Sequence, residues 1–126
     1  MDAHLHLPVD APRPREVRPH LPRKRWISAA VHTSAELLEA RGADALLVSP
    51  VHAPGSKPGD TRAPLGSEGF ERLAREAAPT PCFALGGMTP ARGRSLPLLG
   101  GVAVQSTILA AADPLATARA LLAALG

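Results

Sequence analysis

Glycines and small polar residues follow several apolar runs of this sequence, at places where a chain can bind an anion. The stretch VHAPGSKPGD, residues 51–60, contains Lys57 among two glycines and two prolines. The other residues of this kind are Gly86, Gly87, Gln105 and Ser106. Glycine lets an anion approach backbone N–H groups closely, and a helix that begins there adds a favourable dipole. The pattern indicates phosphate binding, whereas a Gly-Gly pair alone is equally typical of a tight turn.

The histidines allow two kinds of chemistry. DAHLHL at 2–7 places His4 and His6 two residues apart, so that on a strand both side chains face the same way and could share a metal ion. His32 and His52 also follow apolar runs and could supply further ligands. His32 is equally suited to moving a proton, because imidazole titrates near neutral pH. Metal binding, proton transfer and a structural role, such as capping the next helix, are all open at this point.

The elements that must position these residues have the pattern of β/α units. Five short apolar runs alternate with alanine- and leucine-rich segments of helical spacing, which is typical of a parallel sheet with covering helices. The runs span residues 4–7, 26–32, 45–51, 81–87 and 101–106. In barrels of such units the catalytic loops follow the carboxyl ends of the strands, and the loops after the last two strands commonly bind a phosphate.

Three segments carry clear helix signals. Residues 33–44 begin at a Thr-Ser N-cap and place Leu37 and Leu38 inside, residues 66–77 form a second amphipathic helix, and residues 113–125 begin at an Asp cap followed by Pro. The two remaining connections contain prolines, and each proline inside a helix costs about 3 kcal/mol. There we expect short helical turns at most.

Composition limits the class of protein. A chain of 126 residues fits a single domain over 1–126, and no apolar run approaches the roughly 18 residues of a membrane span. Six of the 14 Lys and Arg residues lie between Arg13 and Arg25, yet one Trp, two Phe and no Tyr argue against a surface that stacks nucleic-acid bases. The single Cys82 reads as a core residue, and with no secretion signal at the start we expect a cytoplasmic protein.

Five ordered motifs resemble the thiamine phosphate synthase/TenI family. They are SAAVHT at 28–33, GADALLVSPV at 42–51, GSKPGDTRAPLGSEG at 55–69, ALGGMTP at 84–90 and GVAVQSTILAA at 101–111. The resemblance implies an α/β fold that is a partial TIM barrel of about five parallel strands. It also implies a synthase, which joins a thiazole phosphate to an aminopyrimidine pyrophosphate with Mg²⁺, or a TenI-type tautomerase of a thiazole carboxylate phosphate. A non-catalytic phosphate-binding module is the third possibility.

The resemblance implies roles for single residues. Lys57 matches the lysine that faces the pyrophosphate, and His32 ends a strand beside the thiazole site, where it could act as an acid or base. Asp10 lies near a metal-binding aspartate of the family. The thiazole phosphate would be bound by Gly86, Gly87, Gln105 and Ser106.

The sequence departs from the family in two ways. Ala53-Pro54 replaces a Pro-Thr pair and Ala30 replaces a serine. Aligned with the family, the chain begins at its fourth strand, so the first three β/α units are absent or the gene start is assigned too far downstream. Those units carry most of the magnesium and pyrophosphate ligands. Because five strands cannot close a barrel, we expect a homo-oligomer or a partner that covers the open edges.

Overall fold

The strands of the computed structural model, which describes residues 3–53, 59, 61–96 and 100–126, form one parallel sheet of five. The spatial order of the strands follows the chain, and each strand pairs with the next in parallel. The strands are β1 (Leu5–Leu7), β2 (Ile27–Val31), β3 (Ala45–Val48), β4 (Cys82–Ala84) and β5 (Gly100–Val102). The predicted α/β fold is therefore confirmed.

Helices connect the strands within the described part of the chain. They are α1 (Pro14–Val17), α2 (Ser34–Glu39), α3 (Gly66–Ala77), α4 (Pro90–Arg94), α5 (Ser106–Leu109) and α6 (Pro114–Leu125). A 3₁₀ turn, Arg18–His20, follows α1, so the proline-rich segment forms only short helical turns, as predicted. The caps are also as predicted, since Thr33 Oγ1 accepts from Glu36 N–H and Asp113 Oδ1 accepts from Ala116 N–H.

Two expectations from the sequence were wrong in extent or orientation. The predicted strands at 45–51, 81–87 and 101–106 are shorter than expected, because regular pairing ends at Val48, Ala84 and Val102. Helix α2 ends at Glu39, and only Leu37 packs against the core, whereas Leu38 is 55% exposed. Adjacent residues of a helix point about 100° apart, and six residues make less than two turns, so both leucines cannot face the sheet.

The two faces of the sheet differ in burial. Ile27, Val31 and Val48 lie on the face that packs against Phe70 and Leu73 of α3, and none is more than 1% exposed. The opposite face carries the paired row Ala30, Leu47, Phe83 and Gly101, and all four residues are only partly buried. The helices thus cover one face, and the other is open to solvent.

Cys82 belongs to the covered face. Its side chain is fully buried, as predicted from the apolar run, and this burial raises the pKa of the thiol to about 11. A thiol in that state is a small core residue and not a nucleophile.

Part of the basic segment is tied to the fold by ion pairs. Arg18 donates to Asp44 and, at 2.7 Å, to the Arg25 carbonyl, while Asp44 Oδ2 accepts from Ile27 N–H at 2.7 Å. Burial would raise the pKa of Asp44, but the hydrogen bonds from Ile27 and Arg18 outweigh it and hold that pKa below its usual value. This network fixes the segment before β2.

No helix among the described residues is long and apolar enough to cross a membrane.

Candidate active site

The carboxyl ends of β3, β4 and β5 meet through backbone hydrogen bonds. Val51 N–H donates to Leu85 O at 2.9 Å and His52 N–H donates to Gly86 O at 3.0 Å, which extends the pairing of β3 and β4 into their loops. Ala103 N–H donates to Ala84 O at 2.8 Å, which places the loop after β5 next to the loop after β4. The loop that contains Gly86 and Gly87 therefore lies beside the loop that contains Gln105 and Ser106.

A side-chain bond joins these two loops directly. Thr107 Oγ1 donates to the Met88 carbonyl at 2.5 Å. Thr107 stands in the first turn of α5, immediately after the predicted residues Gln105 and Ser106. The start of α5, whose first N–H groups have no partner within the helix, is thereby held beside the Gly86-Gly87 turn. Sequence analysis included Thr107 among the polar residues after the fifth apolar run but assigned it no role of its own.

Backbone conformation and close packing are enough to explain why residues 86 and 87 are glycines. Both have positive φ, at 103° and 57°, which side chains rarely allow. A Cβ on Gly87 would lie 2.6 Å from the Ala53 carbonyl oxygen. The tight-turn explanation therefore accounts for both glycines, and an anion site needs further support from charged groups nearby.

Arg92 supplies a positive charge at this turn. Its guanidinium donates to the Gly87 carbonyl at 2.5 Å from the exposed side of α4. Arginine is suited to phosphate because its planar donors can bind two oxygens at once. Sequence analysis missed this residue; the available signal was its place three residues after Thr89, the N-cap of α4.

His52 lies behind the same turn as a neutral imidazole. Burial lowers its pKa, and the charge of Arg92 lowers it further. Its Nε2 is buried without a hydrogen-bond partner among the described residues. Both effects favour the neutral imidazole at neutral pH.

His32 occupies the end of β2, one strand away from this cluster. Its Nδ1 lies 2.6 Å from the Ser49 carbonyl oxygen and 3.2 Å from Ser49 Oγ, and the Arg62 guanidinium contacts its Nε2. A guanidinium can only donate, so Nε2 accepts and Nδ1 carries the proton. The His32 N–H donates to Glu36 Oε2 at 2.5 Å, which fixes the backbone. The imidazole therefore bonds to Ser49, just after β3, and to Arg62, and does not cap α2.

The separation between His32 and the glycine turn suits a substrate with a phosphate arm. His32 follows β2 and the turn follows β4, and neighbouring strands lie about 4.8 Å apart, so the backbones of these two strands are about 10 Å apart across the sheet. A flat ring over β3 could thus present one end to Nε2 and a phosphate to the other end.

The remaining predicted residues are placed as follows. Asp10 is exposed in the turn after β1, and Lys57 lies outside the described residues. His4 Nδ1 accepts from Trp26 N–H at 2.9 Å, and His6 Nδ1 lies 2.9 Å from Ser28 Oγ. In the described ranges, no three His, Cys, Asp or Glu side chains come close enough to hold a metal ion.

The neutral state of His52 predicts a pH dependence of stability. Its folded pKa is below that of the unfolded chain, about 6.5, so its contribution is complete above that pH and is lost as the pH falls through the folded pKa. Urea unfolding between pH 7.5 and pH 5 should show the free energy of unfolding falling, with a shallower fall in His52→Gln. His20→Gln, at an exposed histidine, is the control and should keep the wild-type slope. Equal slopes in all three proteins would contradict this assignment.

The contact between Arg62 and His32 predicts a change in reactivity. In Arg62→Ala the Nε2 lone pair is uncovered, so diethyl pyrocarbonate should modify His32 several times faster at pH 7. Peptide mass spectrometry gives the rate at this one site. Arg94→Ala, which removes an exposed arginine of α4, should leave that rate unchanged. A His32 rate that is the same in Arg62→Ala and in wild type would show that the guanidinium does not cover the imidazole.

Comparison with known proteins identifies the family of the chain. The sequence profile of the family described as thiamine monophosphate synthase (TMP-TENI) matches residues 2–108. The thiamine-phosphate synthase of Moorella thermoacetica is 39% identical over 97 residues, which are 75% of this chain and 45% of that protein. The synthase of Chloroflexus aurantiacus is 38% identical over 101 residues, 77% of this chain and 46% of its own length.

A third relative is a longer protein. The thiamine biosynthesis bifunctional protein ThiM/ThiE of Symbiobacterium thermophilum is 41% identical over 102 residues, which cover 76% of this chain and 20% of that protein. The chain thus spans less than half the length of these curated relatives. The ordered motifs, the parallel sheet and the profile match together show that the chain belongs to the thiamine monophosphate synthase (TMP-TENI) family.

Proposed function

We propose that this chain binds a thiazole phosphate and acts in thiamine biosynthesis as a thiamine phosphate synthase-type transferase. The observation that carries the proposal is the pair of loops after β4 and β5, which Thr107 joins and to which Arg92 adds a positive charge. The names of the relatives support the same reaction class. The cytoplasm is the proposed location, consistent with a single buried cysteine and a biosynthetic family.

The phosphate would lie against the Gly86-Gly87 turn and the start of α5, with Arg92 beside it. Backbone N–H groups bind phosphate oxygens without regard to side chain, so Gln105 and Ser106 serve through their main chain. The ring would extend over β3 toward His32. In the synthase reaction the thiazole is joined to the aminopyrimidine and pyrophosphate leaves, and Lys57 would offset the negative charge that develops on that group.

In this proposal Mg²⁺ would be needed only for the synthase reaction, in which it accompanies the pyrophosphate. Mg²⁺ needs about six oxygen ligands in octahedral geometry, and it keeps several waters. Asp10 would supply one carboxylate, but the described residues do not bring together a complete set of ligands. They do not fit the ion by themselves, so no step here depends on it.

A tautomerase is the second candidate, and the geometry of His32 favours it. Tautomerisation needs a proton donor and acceptor and a phosphate anchor, and no pyrophosphate. The Nδ1–H of His32 is held by Ser49, so Nε2 is the nitrogen that can take up a proton once Arg62 moves toward a substrate anion. A non-catalytic phosphate-binding module would keep the anchor alone.

Calorimetric titration with thiazole phosphate tests the anchor. We expect micromolar binding, weakened about tenfold in Arg92→Gln because a hydrogen bond to a charged group contributes about 1.5 kcal/mol or more. Arg94→Gln removes an exposed arginine of the same helix and should bind within twofold of wild type. Equal losses in both variants would indicate a general charge effect, and no binding by the folded wild-type chain would refute the anchor.

Lys57→Ala separates an enzyme from a binder. A synthase should lose turnover by orders of magnitude while its affinity for thiazole phosphate stays within a few-fold, because the lysine would act on the pyrophosphate side. Lys24→Ala, in the proline-rich segment, is the matched control and should keep full turnover. A wild-type chain that binds thiazole phosphate but shows neither synthase nor tautomerase turnover would be a binding module.

A further inference from the structure

A groove lies between the ends of helices α2 and α3. Three of the residues that line it are alanines, Ala40, Ala77 and Ala78, and such small side chains do not fill the space between two neighbouring helices. The volume of the groove is about 510 Å³. Small-molecule sites have volumes of roughly 300–1,000 Å³, so the groove is large enough to hold a ligand.

This groove is separate from the candidate active site. Two residues that line it, Arg41 and Thr80, stand just before β3 and β4, at the amino ends of these neighbouring strands. Leu46, near the start of β3, also lines the groove, and its N–H donates to Pro81 O at 3.0 Å. The loops of the candidate active site follow the carboxyl ends of the strands, so the two sites lie at opposite ends of the sheet.

Three leucines give the groove an apolar surface. Leu46 is 2% exposed and Leu37 packs against the core, so the fold holds both side chains in place. Leu38 lines the same groove and is 55% exposed, which leaves a large apolar side chain in contact with water. A ligand that covers Leu38 would remove apolar area from water, and this favours binding.

The carboxylate of Glu76, which also lines the groove, is already paired. Arg72 donates to Glu76 Oε1 at 3.1 Å and to Ser34 Oγ at 2.9 Å. This bridge connects α3 to the first residue of α2 and offsets the negative charge of Glu76. The groove therefore has no uncompensated acidic group with which a cationic ligand could pair, as far as the described residues show.

Arg41 adds a positive charge to the lining. Within the described part of the chain, its guanidinium forms no ion pair or hydrogen bond, and the Thr80 hydroxyl also lacks a partner. A guanidinium binds a carboxylate through two parallel hydrogen bonds, and a hydroxyl can donate a further one. The groove thus offers hydrogen-bond donors and one uncompensated positive charge beside an apolar surface, which favours an anion with an apolar body.

We propose that this groove binds a small amphipathic carboxylate, of which a medium-chain fatty acid is the simplest example. The carboxylate pairs with Arg41 and accepts a hydrogen bond from Thr80, while the apolar chain covers the three leucines. A linear chain suits a space that lies between two neighbouring helices. The inference concerns a second site and does not depend on the proposed function.

Calorimetric titration of the full chain with decanoate tests the proposal. We expect saturable binding at one site per chain, weakened at least fivefold in Arg41→Gln, which removes the charge from an exposed position. Leu38→Ser should weaken binding several-fold, because the ligand then covers less apolar area. Arg119→Gln, at an exposed arginine of α6, is the matched control and should bind within twofold of wild type.

Decanol separates the contribution of the charge from that of the chain. It has the same alkyl chain without a carboxylate, so it should bind wild type more weakly than decanoate does. It should also bind wild type and Arg41→Gln equally, because it has no charge to pair with the guanidinium. A decanol affinity that falls in Arg41→Gln as much as the decanoate affinity would contradict the proposed pairing.

Two further results would overturn the proposal. One is a folded wild-type chain, with a cooperative urea transition, that shows no saturable binding of decanoate. The other is an equal loss of decanoate affinity in Arg41→Gln and Arg119→Gln, which would indicate attraction to the overall positive charge. The titrations contain no thiazole phosphate, so failure of the proposed function leaves these results unaffected.

Discussion

The backbone bonds between the loop after β3 and the turn after β4 are the constraint on which the rest of the site depends. They hold the main chain at His52 and Ala53 so close to Gly86 and Gly87 that a Cβ on either glycine would be in collision or tight contact. That approach buries Nε2 of His52 and brings the Gly87 carbonyl within reach of Arg92. One close contact between two loops thereby determines a backbone conformation, the burial of an imidazole nitrogen and the position of a charge.

The site combines cations with neutral imidazoles. Arg92 lies near His52 and Arg62 contacts His32, and in each case the imidazole is uncharged: the first by burial, the second because its Nε2 accepts a hydrogen bond. Arg62 and Arg92 can therefore lie near the carboxyl ends of the strands without charge repulsion from these two histidines. The positive charge of the two guanidinium groups attracts anions to this end of the sheet.

Sequence reasoning identified the features that depend on local chemistry. The helix at 66–77, the Asp113 cap and the order of the motifs follow from residue types at fixed spacings, and the fold and family follow from these. The contacts of Arg62 and Thr107 join distant residues on different elements, so no local pattern indicates them, whereas Arg92 had one local signal, its place three residues after the Thr89 cap. Leu38 was placed in the core wrongly, because Leu37 and Leu38 are adjacent and cannot both face the sheet from a short helix. Their residue types do not show which of the two is buried.

The position of Trp26 has a practical consequence. It is the chain's single tryptophan, and it stands half exposed at the β1 edge with its ring edge-on to His4, the ring centroids 6.4 Å apart. Indole emission depends on contact with water, so the intrinsic fluorescence of this protein comes from one place in the fold. The emission wavelength of Trp26 therefore reports whether the β1 edge is exposed to water or covered.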